Sequence, residues 1–262
     1  MARYQVILAY DGTDFFGFQR QAQARTVQGE FESALRVLGW QGQSLLSAGR
    51  TDTGVHAAGQ VVAFDLDWRH PPKALQRAVN ANLPADLSAV HAAQVSADFH
   101  PRYDALARHY RYRLLAEAVR QPLLERYAWR VWPAPDLGRL QTASQLMVGT
   151  FDFAAFGAPM KAGGSTQRTV YRAEWRQAGA EFVFDIVGNA FLYRMVRRLV
   201  AYQLEIGIGR LQPEMLLEQL RKPGDTSFAG TAKPAGLCLM AVYYAGQVGE
   251  EKYLEEMEIR RN

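Results

Sequence analysis

The same order of short apolar runs and helical periodicities occurs twice along the 262 residues, and this duplication restricts the fold more than any single motif does. Residues 4–10 alternate as a strand that ends at the turn signal Asp11-Gly12. From Thr26, a residue type suited to an N-cap, Val27, Phe31, Leu35 and Leu38 recur at helical spacing until Gly39. Ser44-Leu45-Leu46 and residues 61–64 read as short strands. Pro71-Pro72 then opens a helix with Leu75, Ala78 and Val79 inward, and residues 87–95 form a fourth strand. The order is βαββαβ, the ferredoxin-like split unit.

The second half repeats it. Residues 108–116 read as a strand, and residues 136–147 as a helix with Leu137, Leu140, Ala143 and Met147 on one side. Two strands, 169–177 and 181–187, meet at the hairpin signal Ala178-Gly179. A long helix over 190–206, a shorter one over 213–220 and a strand over 237–244 complete the order. The expected fold is α+β: two ferredoxin-like βαββαβ units forming a mixed, largely antiparallel sheet with helices on one side. The expected domains are 1–105, 106–246 and a Glu-rich acidic tail at 247–262.

Composition excludes several function classes. Cys238 is the single cysteine, so an intrachain disulfide and a Cys-based zinc site are both excluded, which suits a reducing cytoplasm. The apolar run at the start is too short for a signal peptide, and no later run approaches the ~20 residues of a membrane span. His56, His70, His91, His100 and His109 are scattered without ligand spacing, so no metal is expected. No glycine pattern follows a strand and opens a helix as phosphate-binding motifs do. The formal charge of +4 is a mild basic excess that admits an acidic partner without requiring one.

The densest chemistry lies in residues 47–60, where Arg50, Asp52 and three glycines fall between two apolar runs. A glycine-rich loop between strands is where catalytic groups concentrate, and it is equally the composition of a plain surface turn. If extended, the loop turns Arg50 and Asp52 the same way. Residues 15–25 mix Phe15, Phe16 and Phe18 with Arg20 and Arg25, which suits either a nucleic-acid surface or phenylalanines folded onto the core. On the strand at 108–113, Arg108, Tyr110 and Tyr112 share one face while His109, Arg111 and Arg113 share the other. The second set either meets phosphates or defends an edge strand. Arg194, Arg197 and Arg198 form a basic stripe opposite Phe191, Met195 and Leu199 on the long helix.

At Gly49-Arg50-Thr51-Asp52-Thr53-Gly54-Val55-His56-Ala57 the chain resembles the TruA-type tRNA pseudouridine synthases. The resemblance extends to Tyr10-Asp11-Gly12, Phe16-Gly17-Phe18-Gln19-Arg20-Gln21, Asn80-Ala81-Asn82-Leu83-Pro84, Asp98-Phe99-His100-Pro101-Arg102, the Arg/Tyr strand, Asn189-Ala190-Phe191, Met195-Val196-Arg197 and Gly236-Leu237. Thr53 stands where the family usually has alanine, and Phe18 where tryptophan is usual; neither change removes a reacting group. The resemblance implies isomerisation of uridine to pseudouridine at positions 38 to 40 of the tRNA anticodon stem-loop. It implies a cytoplasmic homodimer that uses neither cofactor nor metal.

It also implies roles. Asp52 is the nucleophile, Arg197 its ion-pair partner, since a guanidinium favours the ionised carboxylate, and Arg50 helps extrude the target base. Tyr110 stacks on the uracil and is the candidate to take the proton from its carbon 5, and Leu237 walls the pocket, in a catalytic cleft between the halves. Arg20, Arg25 and Arg168 lie on loops basic enough to grip tRNA. Two rival classes remain open on the residues alone: a non-catalytic RNA-binding protein with two RNA-recognition-like sheets, and a glycoside or nucleoside hydrolase using Asp65 or Asp67 beside Asp52.

Overall fold

The computed structural model describes residues 1–161, 163–222 and 228–246, so the expected acidic tail lies outside the described residues. The chain divides into two compact units, and the described parts of the first are residues 1–106 and 238–246. The elements in chain order are β1 (Ala2–Tyr10), α1 (Val27–Val37), β2 (Leu46–Ser47), β3 (His56–Leu66), α2 (Pro72–Asn80) and β4 (Leu87–Val95), then β5 (Ala105–Ala116), β6 (Trp129–Val131), α3 (Leu137–Leu146), β7 (Gly149–Asp152), β8 (Gln167–Ala178), β9 (Glu181–Gly188), α4 (Met195–Gly207), α5 (Glu214–Arg221) and β10 (Leu237–Tyr244). The fold is α+β and its strand pairs are mostly antiparallel.

In the first unit β1 lies between β4 and β3, antiparallel to both. Tyr4, Val6, Leu8 and Tyr10 alternate inward and are buried. Phe31 of α1 meets Phe64 of β3 edge-on, with ring centroids 6.0 Å apart. The opposite face is also covered. There Ala48, Val61, Ala63, Phe99 and Tyr244 make a small cluster against Ile7, Leu46 and Val95. Burial on both faces explains why β3 reads as a nearly continuous apolar run. The helix begins where expected: Thr26 Oγ1 accepts from the Gly29 amide at 3.3 Å.

Strand β10, which by sequence order closes the second repeat, runs parallel to β3 with Cys238 opposite His56 and Leu239 opposite Ala57. Residues 238–246 therefore belong to the first unit rather than to a domain spanning 106–246. Gly59 makes this approach feasible, since a Cβ there would stand 2.4 Å from the Met240 carbonyl oxygen.

In the second unit the order is β5-β9-β8-β7, with the three-residue β6 alongside β5. Trp175 stacks on Phe184 at 4.9 Å, and its indole N–H donates to Gln203 of α4 at 2.8 Å, fixing that helix on one face of the sheet. The 178–179 hairpin is present, with Gly179 at φ +60°. Two expectations need correction. Strands β6 and β7 are too short to leave a periodicity in the sequence. The long helix begins at Met195 instead of 190, because Gly157 packs so closely on residues 192–193 that a Cβ there would reach Leu192 Cβ at 2.7 Å. Arg194 absorbs the bend at φ 59°, and Phe191 falls ahead of the helix.

Candidate active site

Strand β3 begins at His56, so Arg50 and Asp52 stand on the connection from β2 to β3, with Asp52 half-buried and Arg50 exposed. This loop is not a free turn. The Tyr10 hydroxyl and Thr51 Oγ1 share a buried hydrogen bond of 2.8 Å. The Phe18 amide donates to the Thr51 carbonyl at 3.0 Å, and the Gly54 amide donates to the Phe15 carbonyl at 3.3 Å. Thus the residues on both sides of Asp52 are fastened to residues 10–18. Asp52 itself accepts the Val55 amide on its carbonyl at 3.1 Å, which tightens the turn.

Three further contacts complete the cradle. Gln60, fully buried, donates to the Gly49 carbonyl at 3.1 Å. The Gly12 amide donates to His56 Nδ1 at 3.0 Å, making that nitrogen an acceptor, with an Asp11 carboxylate oxygen 3.2 Å from it. Gly12 packs directly on the loop, since a Cβ there would lie 2.0 Å from the Val55 carbonyl oxygen. Phe15 and Phe18 are buried and serve this packing, while Phe16 is 58% exposed. Of the two readings open for the 15–25 aromatics, core packing holds for two of the three.

In the second unit the expected residues are each held by a different neighbour. Tyr110 meets Phe191 edge-on, with centroids 5.2 Å apart and planes at 87°. Arg108 donates to the Asn189 carbonyl at 2.7 Å, and Asn189 Oδ1 accepts the Thr169 and Ala190 amides, which fixes the segment carrying Phe191. Arg197 Nε donates to the Ala232 carbonyl at 2.8 Å, while the Ala232 amide donates to the Arg197 carbonyl at 3.1 Å. This reciprocal pair orients the guanidinium and ties residue 232 to α4. Tyr112 is fully buried, and its hydroxyl donates to the Lys233 carbonyl at 2.6 Å. Burial pushes that phenol well above its usual range, with the Arg197 charge acting the other way. Gly236 fits against the Tyr112 ring, and Leu237, which follows it, is buried. Tyr112 is therefore a packing residue that organises the 232–237 segment.

The cations divide differently from a simple basic surface. Arg20 bonds the fully buried Glu32 at 2.5 Å and the Gln43 carbonyl at 3.1 Å. Arg25 makes a two-pronged pair with Asp86 at 2.7 and 2.8 Å, reaches Glu30 at 3.0 Å, and lies 4.2 Å over the Phe15 ring. Its charge is already met by carboxylates. Arg168 donates to the carbonyls of Ser165 and Gln167 in its own loop, and partial burial lowers its pKa.

On β5, His109 and Arg111 meet the buried Asp185 at 2.7 and 2.9 Å, and Arg176 pairs with the same carboxylate. Arg113 bonds Glu181 at 2.5 Å. Burial alone raises the Asp185 pKa, but hydrogen bonds from His109 and Arg111 outweigh it and hold the carboxyl well below the usual range. The face is an ion network on a buried carboxylate whose arginines stay partly exposed, and β5, paired with both β6 and β9, is not the edge strand that one of the two readings requires. A lone acid inside the apolar strand Glu181–Gly188, opposite an arginine-rich strand, was the available signal. Arg194 lies over its neighbour Tyr193 at 4.8 Å, so it leaves the expected stripe with Arg197 and Arg198. Of the two carboxylates open to the hydrolase alternative, Asp65 is bonded through both oxygens to Arg3 at 2.8 Å each, and Asp67 is exposed just past the end of β3.

Comparison with known proteins places these motifs in context. A sequence model of the tRNA pseudouridine synthase family matches residues 6–104 and 143–245. A tRNA pseudouridine synthase A from Neisseria meningitidis serogroup B is 40% identical over 94% of each chain. The proteins of the same name from Geobacter sp. strain M21 and Limosilactobacillus fermentum are 39% and 40% identical. Each match spans 93% of this chain, and 99% and 96% of the respective relatives.

Proposed function

The chain belongs to the tRNA pseudouridine synthase family and isomerises uridine in tRNA, and from that premise we propose that Asp52 is its nucleophile, acting on a uridine flipped out of the anticodon stem-loop at positions 38 to 40. The single observation behind this assignment is the anchoring of Thr51 and Gly54 on either side of a half-buried carboxylate. A reacting group must be held near its productive geometry, and a loop fastened through its backbone does so without using the side chain.

The reaction breaks the bond between uracil N1 and the ribose, turns the uracil and joins C5 to the same ribose carbon; a general base takes the C5 proton and N1 gains a proton, so the atoms of the product equal those of the substrate. It consumes no redox equivalent, and no cofactor is needed. A stacked uridine must first leave the helix, at a cost of a few kcal/mol. In this proposal Arg50, exposed beside Asp52, helps extrude the base and occupy its place. Tyr110, braced edge-on by Phe191, offers its ring face to the extruded uracil, and Leu237 lines the apolar side. Arg197, whose Nε donates to the Ala232 carbonyl, is in this reading the ion-pair partner of Asp52. Arg168, which has a half-buried guanidinium and no paired carboxylate among the described residues, is better suited to a tRNA phosphate than Arg20 or Arg25. The enzyme acts as a cytoplasmic homodimer.

Tritium release from C5-labelled uridine in unmodified tRNA tests the assignment. Asp52→Asn should release none while binding tRNA as the wild type does. Release unchanged in the variant would remove Asp52 from the chemistry, and transcripts carrying a single uridine at 38, 39 or 40 report the positions used. Sedimentation of the purified chain tests the dimer.

A further inference from the structure

A cavity of about 170 Å³ opens beside the Asp52 loop, lined by Gln19, Arg20, Gln28, Ser44, Ser47 and Arg50 among others. It is smaller than the ~300 Å³ at which pockets begin to hold drug-sized ligands. Its lining is almost wholly polar and is dominated by donors. Ser44 has an internal role, accepting from Gln28 at 2.9 Å. The side chains of Gln19, Ser47 and Arg50 have no hydrogen-bond or ion-pair partner among the described residues. The carboxylate that holds Arg20 is itself fully engaged. Glu32 is fully buried, with one oxygen taking Gln28 at 2.8 Å and the Leu45 amide at 3.2 Å, and the other taking Arg20 at 2.5 Å. The carboxylate thus holds Arg20 in the wall without presenting negative charge to the cavity.

The guanidinium of Arg50, the hydroxyl of Ser47 and the carboxamide of Gln19 together match a singly charged phosphodiester better than any neutral group, while Arg20, whose charge Glu32 already meets, forms the wall behind them. We propose that this cavity binds a backbone phosphodiester of the substrate RNA, one that flanks the nucleotide presented to Asp52. The inference rests on the isomerase reading for its ligand. Arg50 closes the cavity two residues before Asp52. Extruding a base swings its nucleotide about the flanking phosphates, and a phosphate seated beside the loop fixes the pivot of that swing. Ser47 and Gln19 are therefore substrate-positioning residues, and their effect falls on binding.

The test uses the full chain and an anticodon stem-loop RNA in which one phosphate at a time, on either side of the target uridine, is replaced by an uncharged methylphosphonate. Ser47→Glu and Gln19→Glu each put a carboxylate into the cavity; the second is at an exposed position outside any strand, so it remains informative should the first disturb β2. With all-phosphate RNA, each variant should bind about tenfold more weakly, as loss of one charge-assisted hydrogen bond implies, and with a salt slope shallower by about 0.7. In the wild type one flanking methylphosphonate should carry a similar penalty. In the variants that same replacement should add little, because the contact is already gone.

Penalties that multiply in the variants, or no sensitive flanking phosphate in the wild type, would overturn the proposal. Wild-type chain that shows the full pattern and yet forms no pseudouridine would sink the isomerase assignment and leave the phosphate site standing; pseudouridine formed without the pattern does the reverse.

Discussion

Replacing Gly12 with alanine should damage the enzyme more than its distance in sequence from Asp52 suggests. The added Cβ would stand 2.0 Å from the Val55 carbonyl oxygen and 2.5 Å from its carbon. Both atoms are backbone, so no rotamer change relieves the overlap, and one of the two loops must retreat by about 1 Å or more to reach ordinary contact. The retreat strains the hydrogen bond from the Gly12 amide to His56 and the Gly54-to-Phe15 bond, which hold the turn carrying Asp52. A displacement of about 1 Å at a reacting group can cost about a hundredfold in rate. The expectation is a fall in kcat of that order by tritium release, with a loss of about 1 to 3 kcal/mol in denaturant unfolding, typical of overpacking. Gly49→Ala is the control. A Cβ at Gly49 meets nothing within 4 Å, and its φ is not in the left-handed region, so that variant should keep its stability within about 0.5 kcal/mol. A Gly12→Ala enzyme with kcat within threefold of the wild type would refute the idea that residues 10–18 position the carboxylate.

Asp185→Asn should destabilise the chain by about 3 kcal/mol, because His109, Arg111 and Arg176 would then face one another without their shared carboxylate; chemical denaturation at pH 7 reads this directly. The same group sets an acid limit. Its folded pKa is depressed, so its contribution is fully present above the unfolded value of about 3.9 and is lost as pH falls below that, and wild-type stability should drop more steeply than that of Asp185→Asn in this window. Arg25→Ala should cost about 1 kcal/mol through its half-exposed pairs and leave the salt dependence of tRNA binding unchanged, whereas Arg168→Ala should lower the salt slope by about 0.7 to 0.9. Equal slopes for the two variants would assign Arg168 to loop structure alone. Arg197→Lys should lower kcat while tRNA affinity holds, since lysine cannot reproduce the Nε bond to Ala232 together with a second directed contact.

Much of this architecture was legible because it rests on local signals. Thr26 caps α1, Gly179 turns the β8–β9 hairpin, and the period-two burial of Tyr4, Val6, Leu8 and Tyr10 matches the alternation in the sequence. What escaped depends on partners distant in the chain. Strand β10 carries no mark of which strand it will lie on, and its place beside β3 depends on Gly59, some 180 residues earlier, offering no side chain. The start of α4 is hidden from the sequence for a similar reason. Residues 190–194 have helical composition, but close packing by Gly157 and the bridge from Ala158 to Tyr193 hold them out of the helix. The roles of Arg20, Arg25 and Arg111 were equally illegible, since a basic residue looks the same whether its carboxylate is bonded or absent.

The glycines near the active site show how sequence motif and chemistry are joined. Tyr10-Asp11-Gly12 and Phe16-Gly17-Phe18 read as a turn and an aromatic loop, and neither supplies a reacting group. In the structure both press on the Asp52 loop. Gly17 adopts φ +88° with its Cα so near the loop that a Cβ would stand 2.9 Å from the Thr51 carbonyl, while Tyr10 bonds the Thr51 hydroxyl. A single aspartate can serve as nucleophile only if its backbone cannot wander, and a loop with glycine on both sides is intrinsically mobile. The second loop removes that freedom through backbone contacts that only glycine permits. It follows that Tyr10→Phe, which removes one buried hydrogen bond and leaves every reacting group in place, should lower kcat several-fold and leave KM for tRNA nearly unchanged. A change confined to KM would mean that this cradle serves binding rather than the placement of Asp52.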